Sequence, residues 1–94
     1  GDVSIYPNPV KNRMNYQLHT NFIPQSAEMY VYDATGRRVY SEEITQTLQR
    51  QSFEWGLHTE YGLEVANGVY FLRIKWTHPG GIVRKTRKFA VIQP

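Results

Sequence analysis

The longest alternation in the chain is Asn67-Gly68-Val69-Tyr70-Phe71-Leu72-Arg73-Ile74-Lys75-Trp76. Tyr70, Leu72, Ile74 and Trp76 fall on one face at a period of two, and Val69, Phe71, Arg73 and Lys75 on the other. The first face is large and apolar throughout. The second passes from apolar to cationic. This pattern predicts a central strand packed on a core and entered through a tight turn at Asn67-Gly68.

The rest of the chain reads as shorter strands and turns. Val3-Ser4-Ile5-Tyr6 alternates, then meets Pro7-Asn8-Pro9. Two prolines there remove two backbone donors and fix φ, so a stiff connector or an abruptly ending edge strand is expected. Positions 14–20 predict a strand with Met14, Tyr16 and Leu18 facing in. Positions 21–26 are a loop. Positions 27–33 predict a strand with Ala27, Met29 and Val31 inward and Glu28, Tyr30 and Tyr32 outward. Asp33-Ala34-Thr35-Gly36 reads as a β-turn, Asp33 capping through its side chain and Gly36 supplying positive φ. Arg37 to Glu42 then returns as the second arm of a hairpin.

Positions 43–47 predict a loop between sheets, and 48–55 a strand with Phe53 and Trp55 on one side. Positions 56–67 form a long connection without room for a real helix. His78-Pro79-Gly80-Gly81 is a turn in which both glycines are expected at positive φ. Ile82 to Ile92 is the last strand, basic at its start and apolar at its end. The sum is about seven strands with turn signals every roughly 8 to 12 residues and no amphipathic helix. This is an all-β chain, and the expected architecture is an immunoglobulin-like antiparallel β-sandwich, with an open barrel as the alternative.

Composition adds limits. The 94 residues suffice for a single domain, 1–94, with one core. Seven tyrosines suit half-buried positions on a pleated surface. No apolar run reaches the roughly 20 residues of a membrane helix, so the chain is not expected to span a membrane. Gly1-Asp2 opens almost directly into a strand without a signal peptide, and the chain is therefore expected to be part of a longer protein. With no cysteine, disulfides, thiolate metal sites and a cysteine nucleophile are out. The net charge of +3 is uneven. After Glu64 come Arg73, Lys75, Arg84, Lys85, Arg87 and Lys88 with no carboxylate. That run is either a solvated strand face or a surface for an anionic partner.

Candidate chemistry is sparse. His19, His58 and His78 lie in separate segments without metal-ligand spacing, so no metal and no cofactor are expected. Glu42 and Glu43 are adjacent and face opposite ways on a strand, which argues against paired acid–base work. Ser4, Ser26, Ser41 and Ser52 lack a nucleophile elbow. No catalytic residue is therefore assigned. Nucleic-acid binding would need stacking rings among the cations, but Trp76 shares its face with Leu72 and Ile74 and belongs to the core. No nucleic-acid partner is expected.

Three blocks in order, taken together, resemble the C-terminal sorting domain of the type IX secretion system of Bacteroidetes. Ile5-Tyr6-Pro7-Asn8-Pro9 looks like the "YPNP" opening. Val31-Tyr32-Asp33-Ala34-Thr35-Gly36-Arg37-Arg38-Val39 is similar to the hairpin "v-y-D-x-x-G-r-x-V". Gly68, Tyr70 and Ile74, followed by Lys88 and Val91, are similar to "G-x-Y-x-x-x-I" and the closing "K-x-x-V". The resemblance implies a seven-stranded sandwich acting as an address label. The parent protein would pass through the periplasm, then the outer membrane, to the cell surface or medium. The partners it implies are translocon components and the sortase, which on most cargo removes the domain and joins the cargo to an anionic lipopolysaccharide.

One departure stands out. Trp55-Gly56 and the following Gly62 to Tyr70 resemble immunoglobulin-like domains of the flagellar-hook-capping type. The secretion-system sortase keeps a domain similar to that version, so a retained module of the sortase or of another surface protein is the alternative to a removable tag.

Within the sorting reading, the recognition residues expected are Gly68, Tyr70, Lys88, Phe89, Ala90, Val91 and Ile92. Pro7, Asn8, Pro9, Asp33, Gly36 and Arg37 are expected to serve structure. Edge-strand pairing would supply affinity, and it also permits self-association. A structural or carbohydrate-binding sandwich, with Tyr30 and Tyr32 as an aromatic platform, is the other class.

Overall fold

In the computed structural model, which describes residues 1–45 and 47–94, the alternating positions define the core. Tyr70, Leu72, Ile74 and Trp76 are all buried, as are Met14, Tyr16 and Leu18, and Ala27, Met29 and Val31. Burying each large apolar side chain contributes about 1.5–3 kcal/mol. The described residues form seven strands: β1 (Asp2–Lys11), β2 (Arg13–His19), β3 (Ser26–Asp33), β4 (Arg38–Ile44), β5 (Arg50–Trp55), β6 (Gly68–His78) and β7 (Gly81–Val91). No described segment is a helix.

The strand order is β4-β3-β6-β7-β1-β2-β5. β4, β3, β6 and β7 make one antiparallel sheet, with β6 at its centre beside β3 and β7. β5, β2 and the first half of β1 make the other. Trp55 of the smaller sheet meets Phe89 of the larger edge-to-face at 6.4 Å, across the core. This is the expected sandwich, and no buried side-chain polar atom among the described residues lacks a partner.

β1 corrects the sequence reading. It does not stop at the prolines but runs to Lys11 and changes sheets. Asp2 to Tyr6 pair antiparallel with β2, and Val10 then pairs parallel with Val91 of β7. The Tyr6-Pro7 and Asn8-Pro9 peptides between these halves are both cis. Pairing with neither sheet there, the segment loses nothing by lacking two N–H groups.

Smaller differences concern turns. Gly81 pairs with His78, so Pro79-Gly80 make the turn, and of the two glycines only Gly81 has positive φ. Asn67 makes a bend, and no backbone hydrogen bond closes a turn there. β4 runs through Glu43 to Ile44, shortening the expected 43–47 loop, whose position 46 lies outside the described residues. The 56–67 connection holds an isolated His58–Glu64 bridge and no helix.

Candidate recognition end of the sandwich

The strand registers bring the sequence motifs to one end of the molecule. Tyr70 pairs with Asp33, and Gly68 pairs with Val91. The β3–β4 turn, the start of β6, the end of β7 and the second half of β1 therefore lie together.

The turn is held by one carboxylate. Asp33 Oδ1 accepts from Thr35 N at 2.9 Å, Thr35 Oγ1 at 2.6 Å and Arg37 N at 3.1 Å. Gly36 N donates to Asp33 O at 3.0 Å. Gly36 has φ 87°, with nothing near a Cβ, so backbone conformation rather than space selects glycine. The Thr35 hydroxyl bond, then the two amides and the Arg37 charge, hold the Asp33 carboxyl below its usual value.

The end of β7 is held from two sides. Ile92 N donates to Val10 O at 3.0 Å, and Ala90 N reaches Asn8 Oδ1 at 3.4 Å. On the other side, Asn67 Nδ2 donates to Gln93 O and Gln93 N donates to Asn67 Oδ1, both at 2.9 Å. Nearby, the Tyr70 hydroxyl donates to Ala66 O at 2.6 Å. Asn8 thus fixes the last strand directly, between the two prolines.

Burial divides the seven recognition candidates. Phe89 and Val91 are buried at 2% and 0% exposure, and Tyr70 at 6%. Phe89 stacks on Tyr70 at 5.9 Å and meets Trp55. These three side chains belong to the core. Gly68, Lys88 and Ile92 are exposed, and Ala90 is half-buried. Ile92, at 55% exposure, closes a shallow surface of Pro9, Lys11, Gln93 and Pro94. This apolar patch, with Lys88 on the same outward strand positions, is accessible to a partner.

Sequence reasoning missed three features. The Asn67 clamp was hidden because Asn before Gly reads as a turn. Arg87 looked like one cation in a run, yet its Nε donates to Val3 O and its Nη2 to Asp2 Oδ1, both at 2.9 Å. The 56–67 connection is ordered by Trp55 Nε1 to His58 O, Thr59 N to Leu63 O and Val65 N to Leu57 O. It presents Tyr61, 89% exposed, and Leu63 beside Arg37 and Arg38.

No group of three or more His, Asp or Glu among the described residues is placed to hold a metal ion. His58 packs edge-on to Tyr40, and His78 stacks on Phe22. Tyr30 and Tyr32 do lie on the outer sheet face, 6.3 Å apart, with Arg73 5.4 Å over the Tyr32 ring.

The family model of the secretion system C-terminal sorting domain matches residues 4–89. Among solved structures the chain is similar to dimeric latent PorU from Porphyromonas gingivalis, with TM-score 0.85 and 26% identity, covering 99% of this chain and 9% of that one. It is also similar to PorZ, an essential surface component of the type IX secretion system of P. gingivalis, with TM-score 0.63 and 26% identity, covering 96% of this chain and 11% of PorZ. FlgD from P. aeruginosa shares the fold alone, with TM-score 0.70 and 18% identity, covering 96% of this chain and 69% of FlgD. No sequence among the curated proteins matches. The chain thus spans about a tenth of PorU and of PorZ. With the family's motifs joined at one end of an immunoglobulin-like sandwich, the chain belongs to the C-terminal sorting domains of the type IX secretion system, which direct export toward the outer membrane and cell surface.

Proposed function

We propose that the type IX translocon reads this domain at the end where β7 finishes, and that the sortase acts on the parent protein afterwards. One observation carries the reading. The last strand is pinned by Asn8, Val10 and Asn67 from both sides, while Lys88 and Ile92 stay exposed on it. A strand end whose backbone is already bonded on both sides presents its exposed alternate side chains in one preformed arrangement, and such preorganisation favours binding by a partner that reads side chains. Residues 1–94 act as one sorting domain within a longer secreted protein. That protein crosses the periplasm in transit and ends at the outer membrane, on the cell surface or in the medium. Any catalysis, such as a peptidase or sortase activity, resides in the rest of the parent. No described helix is long and apolar enough to cross a membrane.

The test is a secreted reporter carrying this chain at its C-terminal end. Lys88→Ala with Ile92→Ser is expected to leave the reporter folded but held inside the outer membrane. Ten residues appended after Pro94 should do the same. Normal surface display of both fusions would overturn the reading.

A further inference from the structure

The outer face of the larger sheet carries a charge order that the sorting role leaves unused. Glu43 of β4 pairs with Glu28 of β3, Glu28 with Lys75 of β6, and Lys75 with Arg84 of β7. Directly paired residues project to the same side of a sheet. One row across four strands therefore reads acid, acid, base, base. Like charges directly opposite one another are unfavourable, and this row holds two such pairs, Glu43 with Glu28 and Lys75 with Arg84. Lys75 relieves Glu28 at 3.6 Å, and the Tyr30 hydroxyl also bonds Glu28. The row's two ends, Glu43 and Arg84, are exposed, and neither makes a side-chain ion pair or hydrogen bond among the described residues.

Such a row complements itself. A two-fold axis parallel to the strands, passing between β3 and β6, lays the row of one copy over the reversed row of another. Glu43 then faces Arg84 of the second copy, Glu28 faces its Lys75, and both contacts occur twice. The contact is isologous and closed, so it ends at a dimer. Two rows along, Tyr32 pairs with Phe71, and the same axis lays each ring over the other's counterpart. The outer ends of that row, Arg38 and Lys88, come opposite each other at the rim, where solvent and salt screen the repulsion. Aligned face-to-face packing is also an ordinary way for two sheets to meet.

We propose that this face is a homodimer interface, its partner a second copy of the chain, fixed in register by the Glu43–Arg84 contact. The inference does not rest on the sorting reading: its register is set by Glu43 and Arg84, and the one residue the two share, Lys88, lies at the rim of this face.

Sedimentation equilibrium of the chain at low and high salt tests it. A dimer that weakens steeply with salt is expected. Arg84→Glu and Glu43→Arg should each weaken dimerisation about 10-fold or more, because each sets like charges opposite one another twice. The double variant should recover most of the loss, since the row then complements itself again. Thermal unfolding of each variant checks that the exposed substitutions leave the fold intact. A chain that stays monomeric at millimolar concentration overturns the proposal. So does a dimer unaffected by either reversal, which would place the contact at a strand edge, and so does failure of the double variant to recover.

Discussion

Asn67 holds Gln93 by two hydrogen bonds, its side-chain amide donating to the carbonyl and accepting from the amide of the same residue, both at 2.9 Å. The side chain thus replaces a backbone rung just past the last β6–β7 pair, Gly68 with Val91. Asn67→Ala removes both bonds and Asn67→Asp removes the donor. Each is expected to cost about 1 kcal/mol of stability, a small part of the total. Hydrogen exchange gives the direct readout. The Gln93 amide should lose its protection in Asn67→Ala while the Leu72 amide keeps its own. Unchanged protection at Gln93 would show that the clamp does not order this end.

Folding and recognition should separate cleanly along β7. Phe89 is buried between Tyr70 and Trp55, so Phe89→Ala is expected to destabilise by about 3–5 kcal/mol. Lys88→Ala touches no ion pair and no core, and should stay within about 0.5 kcal/mol of the parent sequence. Urea denaturation of both, beside export of a reporter bearing each, distinguishes the two roles. Export lost only in step with stability would assign β7 a purely structural part.

The β3–β4 turn should carry a pH signature. Its carboxyl, Asp33, has a folded-state value below the ordinary 3.8, mainly through the Thr35 hydroxyl. A depressed carboxyl contributes stability that is fully present above its unfolded value and is lost as pH falls through the folded one. Between pH 6 and pH 5 the stability gap between the protein and Asp33→Ala should be constant. Below pH 3.8 it should narrow. A gap that widens on acidification would contradict the role given to the carboxylate.

Much of this was legible in the sequence because period-two alternation reports burial directly. β2, β3 and β6 bury the residues their pattern selects, and Asp33 to Gly36 form the turn their chemistry requires. What stayed hidden was carried by side chains bonding to distant backbone. Asn8, Asn67 and Arg87 each reach across 26 or more positions, and no local pattern encodes that. Prolines misled for a related reason. They forbid ladder donors, but β1 needs none while it crosses between sheets, so Pro7 and Pro9 sit inside a strand that continues to Lys11. The − − + + row escaped because its members are far apart in sequence and meet only through the strand register.

Arg87 ties the first strand to the last. Its Nε donates to the Val3 carbonyl and its Nη2 to the Asp2 carboxylate, so one planar group serves two acceptors 84 and 85 positions away. Lysine keeps the charge but presents a point donor and cannot match that fork. Arg87→Lys is therefore expected to behave closer to Arg87→Ala than to the parent. Val3 also pairs with Leu18 of β2, so the bridge supports the whole β1–β2 ladder at its open end. Both variants should raise amide exchange across Asp2 to Ile5 while Val10, pinned by Val91, stays protected. Asp2, like Asp33, is held below its usual value, first of all by Arg87. Acidification through that lowered value should therefore loosen the same few amides in the unmodified protein, and affect Arg87→Ala less, where only the Val3 amide still bonds the Asp2 carboxylate. If exchange rises evenly along β1, the two halves of the strand move as one and the division between sheets has no dynamic consequence.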